Sequence, residues 1–275
     1  MPDPEIRELR YFRAVADELN ITRAAVRLGI AQPPLSRAIR QLERRLGVDL
    51  FDRTGPRLAL TPAGEVFREE AAVVLGALDT AVRRTRHHGL VVTAKPGVAT
   101  RLLRRISARF EEDPDAPPLR VVVSGFGEQA DMVRDGRADV AIAACVDSRG
   151  LDNELLATEP RVAALPVGHR LAGRAVLTTA DLRTEPAPRW NGMPHPPATG
   201  PVVRDTAQLL DVVALGQAVA LVPTSLAEVN VRPDVTYCPV IDAVPYRTLA
   251  VWPAGSRSPW IARFINTARA CTVPR

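Results

Sequence analysis

A chain of 275 residues, 46% of them hydrophobic, carries more apolar material than one small core absorbs, so two folding units are expected, one of them divisible into lobes. No apolar run approaches the roughly 18 uninterrupted residues of a spanning helix, and Met1-Pro2-Asp3-Pro4-Glu5 lacks the pattern of a secretory leader, so a cytoplasmic protein without membrane contact is expected. A net charge of +5 permits nucleic-acid binding without establishing it, while Cys145, Cys238 and Cys271, odd in number and far apart, indicate neither a disulfide framework nor a zinc site.

From Glu5 to Leu19 the residues Ile6, Leu9, Phe12, Val15, Ala16 and Leu19 recur at three- and four-residue intervals, the mark of an amphipathic helix. Thr22 offers an N-cap for a short helix carrying Ala24, Ala25 and Leu28, which Gly29 ends by accepting a positive φ. A third helix starts near Pro33, because prolines are tolerated in a first turn. Its buried stripe is Leu35, Ile39, Leu42 and Leu46; Pro33, Arg37, Arg40 and Arg44 fall opposite, with Gln32 and Ser36 near the exposed N-terminal end. Two helices joined by a glycine turn, the second presenting Gln, Ser and Arg outward, form a helix-turn-helix arrangement.

Two short strands, Val48 to Phe51 and Arg57 to Leu60, flank the Thr54-Gly55-Pro56 turn and suggest a wing bordered by Arg53 and Arg57. Thr61 and Pro62 then open a helix running to about Arg86, roughly 37 Å long. Its stripe of Phe67, Ala71, Val74, Leu78 and Ala81 or Val82 is too long to bury alone, so pairing with a second copy is expected. The basic charge is concentrated here: between Thr22 and Arg57, eight arginines face Glu43, Asp49 and Asp52, while the remainder is close to neutral.

Beyond Leu90 strands alternate with helices: strand Leu90 to Thr93, helix Thr100 to Phe110, strand Leu119 to Val123, helix around Glu128 to Asp135, strand Asp139 to Ala143. This order implies a mostly parallel sheet covered by helices. A second group follows, with strand Val162 to Leu165, a Pro-rich loop from Glu185 to Pro201, strand Val202 to Val203, helix Thr206 to Leu215 and strand Val219 to Val222. Strands near Val235 to Val240 and Leu249 to Trp252 precede a last helix, Pro259 to Ala270. Two α/β groups suggest two lobes around a cleft.

The N-terminal residues carry a dense resemblance. Phe12-Arg13-Ala14-Val15-Ala16, Thr22-Arg23-Ala24-Ala25, Ala31-Gln32-Pro33-Pro34-Leu35-Ser36-Arg37, Gln41-Leu42-Glu43, Leu46-Gly47-Val48, Leu50-Phe51-Asp52-Arg53-Thr54 and Leu60-Thr61-Pro62-Ala63-Gly64 together resemble the DNA-binding domain of LysR-type transcriptional regulators. Looser matches to the same family's sensing domain are Asp135-Gly136-Arg137-Ala138-Asp139-Val140-Ala141-Ile142, Leu165-Pro166-Val167-Gly168-His169-Arg170-Leu171-Ala172 and Gly216-Gln217-Ala218-Val219-Ala220-Leu221-Val222-Pro223. The resemblance implies a multidomain chain. Residues 1–60 are the mainly α winged helix-turn-helix, 61–88 the linker and dimerisation helix, and 89–275 a two-lobed α/β effector domain like periplasmic binding proteins, lobe I spanning about 89–158 and 256–275 and lobe II about 159–255. It also implies homodimers or homotetramers, with RNA polymerase as a further partner. The chain is short for the family, and residues 185–201 are where the loss is expected, which leaves the second lobe's shape open.

Arginine on an exposed helix face neutralises phosphate or donates two hydrogen bonds to guanine, and glutamine pairs with adenine. Base-edge contacts to double-stranded DNA are therefore assigned to Gln32, Pro33 and Ser36, with Arg37 and Arg40 at base edges or phosphates. Thr22 and Arg23 bind phosphate at the start of their helix, and Arg53 and Arg57 touch the backbone or minor groove from the wing. Arg44 and Arg45, farther along, read as solvated.

In α/β sheets, ligands collect beyond the carboxyl ends of strands. The first such loop contains Lys95, Pro96 and Gly97 before a helix N-terminus, suited to an anionic small molecule; Lys95 reads equally as a surface charge. The family's effector loop lies in the same place, often with serine or threonine there, which leaves the ligand class open. Ser124, Gly125 and Phe126 follow the second strand, Arg204, Asp205 and Thr206 the second-lobe strand, and Trp190 either stacks on a ligand or packs.

Two rivals stand beside a regulator. An enzyme would need a nucleophile or metal motif, and no G-x-S-x-G, Walker loop, G-x-G-x-x-G or H-E-x-x-H occurs, so no catalytic residue, cofactor or metal is expected. His87, His88, His169 and His195 form no metal constellation. An architectural DNA protein would bind through phosphates with little sequence preference.

Overall fold

The computed structural model describes residues 3–55, 57–86, 89–95, 97–144, 147, 149–191 and 199–272. They divide into two compact units, Met1–Arg86 with Arg134–Arg137, and His87–Val133 with Ala138–Arg275. The first unit opens with α1 (Ile6–Glu18), α2 (Ile21–Leu28) and α3 (Gln32–Leu46), continues through the paired β1 (Phe51–Asp52) and β2 (Ala59–Leu60), and ends with α4 (Pro62–Arg86).

The cap of α2 is Asn20, not the expected Thr22. The Asn20 side chain accepts the Arg23 amide at 3.0 Å, so the helix begins two residues earlier and Thr22 lies within its first turn. Gly29, at φ +67, closes α2 as expected, and Gly47, at φ +72, closes α3. The wing strands are shorter than expected, two residues each. Leu35, Ile39 and Leu42 of α3 are buried with Leu9, Phe12 and Val15 of α1, and Phe12 packs against Phe51 and Phe67 at centroid distances of 5.3 and 4.9 Å.

On α4 the buried positions are Ala71 and Leu75, with Phe67 half-buried, whereas Val74 is 46% exposed. The line Phe67, Ala71, Leu75 advances by four residues along the side facing α1; Val74 lies about 100° from Leu75 and is turned away. The expected stripe is thus rotated by one residue at its middle.

The second unit contains β3 (Leu90–Ala94), α5 (Thr100–Glu111), β4 (Leu119–Val123), α6 (Gln129–Arg134), β5 (Val140–Ala143) and β6 (Leu151–Glu159). After it come β7 (Arg161–Pro166), β8 (Arg189–Trp190), β9 (Val202–Val203), α7 (Thr206–Ala214), β10 (Ala220–Pro223) and α8 (Thr224–Val229). Next are β11 (Val235–Pro239), β12 (Tyr246–Pro253) and α9 (Pro259–Thr272). The first lobe is built on a five-stranded sheet of order β4-β3-β5-β12-β6, and the second on a three-stranded sheet of order β10-β7-β11.

Within these two sheets β4-β3 and β3-β5 pair in parallel, β12 runs antiparallel to both β5 and β6, and both pairs of the second sheet are antiparallel; the separate two-stranded pair β8-β9 is parallel. The mostly parallel expectation therefore holds for the βαβαβ start alone. Because β12 lies inside the first lobe's sheet, the chain returns to that lobe at Tyr246 rather than near residue 256. Leu103, Ile106 and Phe110 of α5 are buried against Phe264 and Ile265 of α9, and Val162, Ala164, Leu209 and Val213 anchor the second lobe.

Candidate nucleic-acid interface and effector cleft

Two prolines in the first turn of α3 remove amides that would have had no helical acceptor, so the helix starts at full strength without a side-chain cap on Ala31. The apolar row Leu35, Ile39 and Leu42 is 1% exposed or less, which fixes the helix against the domain behind it. Gln32, Pro33, Arg37 and Arg40 are exposed and Ser36 half-buried. Neither Arg37 nor Arg40 has an intramolecular hydrogen bond or ion pair among the described residues, so both guanidiniums remain available to an anion.

Arg57, on the wing, is likewise exposed and has no hydrogen bond or ion pair among the described residues, which leave out the adjacent Pro56. Arg53 has a structural task. Its guanidinium donates to the Glu43 carboxylate at 2.9 and 3.3 Å, and Glu43, 5% exposed, also accepts the amides of Leu50 and Phe51 at 3.0 and 3.1 Å. One carboxylate on α3 thereby holds the start of the wing.

Arg23 donates to the Glu18 carbonyl at 2.6 Å and lies 3.4 Å from its carboxylate, closing the C-terminus of α1; Thr22 is exposed. Arg45, expected to be solvated, is only 14% exposed and pairs with the buried Glu8 at 3.1 Å. Sequence spacing carried no signal for the Glu43 and Glu8 anchors, since each meets its arginine across the fold.

In the second unit, Lys95 follows β3 and the loop bends at Gly97, φ +93, into α5, whose N-cap Ala99 makes no side-chain hydrogen bond. Pro96 lies outside the described residues, as do Cys145, His87, His88 and His195. Val98 packs with the second lobe's core, and a Cβ on Gly97 would meet the Thr206 hydroxyl at 3.3 Å. The loop after β3 therefore abuts the start of α7. Asp205 caps that helix by accepting the Gln208 amide at 2.9 Å, and the Arg204 amide donates to the Gln208 side chain at 2.9 Å.

Phe126 and Trp190, from different lobes, are stacked with centroids 3.7 Å apart, and the Lys95 ammonium stands 3.6 Å from the Phe126 centroid. The fold therefore brings Lys95, Phe126 and Trp190 together, and two residues beyond Lys95 it sets Gly97 beside the Thr206 hydroxyl. Ser124 and Gly125 act differently. The buried Ser124 hydroxyl donates to the Ala94 carbonyl at 3.2 Å and accepts from Gln129 at 2.7 Å, and the Gly125 amide donates to Glu128 at 2.9 Å. Both position the loop that carries Phe126.

Among the described residues no group of three or more His, Cys, Asp or Glu is placed to hold a metal, and no helix is long and apolar enough to cross a membrane.

Residues 6–65 match the model of the bacterial regulatory helix-turn-helix proteins of the lysR family, and residues 83–271 match the LysR substrate binding domain. The chain is 31% identical to the transcriptional regulator BudR of Raoultella terrigena over 95% of this chain and 99% of that protein. It is 32% identical to the transcriptional regulator CatR of Pseudomonas putida over 87% of this chain and 89% of that one. Among solved structures, the LysR family regulator CbnR is similar with a TM-score of 0.62 at 25% identity, covering 98% of this chain and 100% of CbnR, and CbnR has also been solved in complex with its target DNA.

Proposed function

Because the chain belongs to the LysR family of bacterial transcriptional regulators, we propose that α3 is the helix that reads the operator and that the cleft around Lys95 receives the effector. The protein is a DNA-binding regulator whose output is set by a small molecule, and it is not an enzyme. Residues 1–60 form the DNA-binding domain, 61–88 the linker helix and 89–275 the effector domain in this reading. The observation that carries it is the outward row of α3: Gln32, Pro33, Arg37 and Arg40 exposed above a fully buried Leu35, Ile39 and Leu42.

Gln32, Pro33 and Ser36 contact base edges, Arg37 and Arg40 reach base edges or phosphates, and Thr22, Arg23, Arg53 and Arg57 border the backbone. Of these, Arg53 contributes first by fixing the wing. The effector is anionic: the Lys95 ammonium and the uncapped first turn of α5 both favour negative charge. Trp190, Phe126, Gly97 and Thr206 shape the cleft around it, with Arg204 and Asp205 at its rim. The protein works in the cytoplasm as a homo-oligomer and contacts RNA polymerase. Val66, Val73, Ala77 and Ala81, exposed on α4 and within about 80° of one another, supply an apolar face for a second copy.

The test is selection of bound fragments from sheared genomic DNA by the purified protein, with the Arg37→Ala and Arg40→Ala variants in parallel, followed by a reporter driven from the selected promoter. The wild type enriches discrete promoter fragments and the variants lose them. Recovery of fragments in proportion to their abundance would overturn the operator reading. An effector response in the reporter unaltered by Lys95→Ala would overturn the cleft reading.

A further inference from the structure

Phe126 lies on the loop after β4 and Trp190 ends β8, so their rings come from separate lobes. The ring planes differ by 3° and the centroids are 3.7 Å apart. The Lys95 ammonium lies 3.6 Å from the Phe126 centroid and 4.9 Å from that of Trp190. A cation and a π face attract more strongly where water is scarce. The place where the first lobe offers both an aromatic face and a cation is thus already filled by a planar ring, and that ring belongs to the chain itself.

We propose that Trp190 is a built-in stand-in for the effector: a planar aromatic carboxylate displaces the indole from Phe126, laying its own ring there and its carboxylate on Lys95. This rests on the cleft being the effector site. The competition defines the ligand class. An indole offers Lys95 only its π electrons, whereas a carboxylate adds a charge-assisted hydrogen bond. A planar molecule without charge gains nothing over Trp190, and a charged molecule without a flat ring gives up the stack on Phe126.

The strand that carries Trp190 is short. β8 is two residues long and, among the described residues, pairs with the two-residue β9 alone, Arg189 opposite Val202 and Trp190 opposite Val203. Displacing the indole removes a contact between the lobes, which gives the ligand the differential interaction needed to shift the domain between two states.

Isothermal titration of the full-length protein with naphthoate, indole and cyclohexanecarboxylate tests the proposal. Naphthoate binds at millimolar concentration or below, and the other two bind at least about tenfold more weakly. Lys95→Ala and Phe126→Leu each weaken naphthoate about tenfold, whereas Trp190→Leu, which keeps apolar bulk against the second lobe, tightens it severalfold. Hydrogen exchange on the wild type gives an independent reading, with residues 189–191 exchanging faster when naphthoate is bound.

Weaker binding by Trp190→Leu, or slower exchange at 189–191, overturns the displacement. Cyclohexanecarboxylate binding as tightly as naphthoate, still dependent on Lys95, overturns the aromatic class while leaving the cleft reading intact. No naphthoate binding at millimolar concentration overturns the proposal itself, and the reporter response of Lys95→Ala then decides the cleft reading separately.

Discussion

Glu43 on α3 grips Arg53 at the start of the wing through two contacts of 2.9 and 3.3 Å, and the same carboxylate accepts the amides of Leu50 and Phe51. Replacing it by alanine leaves two buried amides without an acceptor and frees a guanidinium that is 36% exposed and can turn to solvent. Glu43→Ala is expected to cost about 3 kcal/mol in urea unfolding, and Arg53→Ala roughly half of that because the two amides still satisfy the carboxylate. Equal stability of Glu43→Ala and wild type would refute the clamp.

Gly64, in the first turn of α4, has no room for a side chain. A Cβ there would stand 2.0 Å from the Leu50 carbonyl oxygen and 2.9 Å from a Leu60 methyl. Gly64→Ala should therefore lose more than about 3 kcal/mol, by pushing the helix off the wing. Gly173→Ala, where nothing lies within 4 Å, is the matched control and should melt within about 1 °C of wild type.

Much of this architecture was readable in the residues and some was not. The 3.6-residue spacing of Leu35, Ile39 and Leu42 placed α3 because a buried helix face imposes that period directly. The cap of α2 was misplaced because Asn20 and Thr22 are both good caps, and only the chain's entry angle, set by Leu19 at φ 44, decides between them. β6, reading Leu-Asp-Asn-Glu-Leu-Leu-Ala-Thr-Glu, lies at the edge of its sheet and shows no strict alternation, so no two-residue period announced it. The cleft residues Lys95, Phe126 and Trp190 were each named from strand-end logic or residue type, but their convergence depends on two lobes folding against each other, which no local pattern encodes. The same applies to Glu43, whose partner lies ten residues away across a turn.

Arg37 and Arg57 separate reading from holding. If Arg37 reaches a base, Arg37→Ala weakens operator binding by about 1–3 kcal/mol and leaves scrambled duplex almost untouched. Arg57→Ala weakens both alike and lowers the slope of log K against log salt by about 1. Fluorescence anisotropy over a salt series distinguishes them, and equal losses on both duplexes for Arg37→Ala would remove it from the base-reading set.

Acid should unfasten part of the second lobe. The Asp181 carboxyl is held below its ordinary 3.8 by hydrogen bonds from the Thr178 amide and hydroxyl, and Asp242 is held low in the same way by Thr179. A folded-state value below the unfolded one adds stability that is complete above the unfolded value and disappears as pH falls through the folded one. Thermal melts of wild type and an Asp181→Asn, Asp242→Asn double variant should differ at neutral pH, and the gap should close as pH falls below the ordinary carboxylate value of 3.8. A gap that persists at the lowest pH would refute the assignment.

Burial pushes the Cys238 thiol up, and its Sγ lies 3.1 Å from the Arg174 carbonyl oxygen. Cys271 is buried as well. In a Cys145→Ser background, a thiol reagent at mildly alkaline pH should label neither until denaturant is added. Prompt stoichiometric labelling of the native protein would overturn this.

The edge-on contact of Phe67 with Phe12, 4.9 Å between centroids, has a mechanical corollary. The first turns of α4 are part of the same aromatic knot that seats α3, and Ala71 and Leu75 extend the grip. A displacement of α4 therefore has to disturb the packing in which Leu35, Ile39 and Leu42 of α3 are buried.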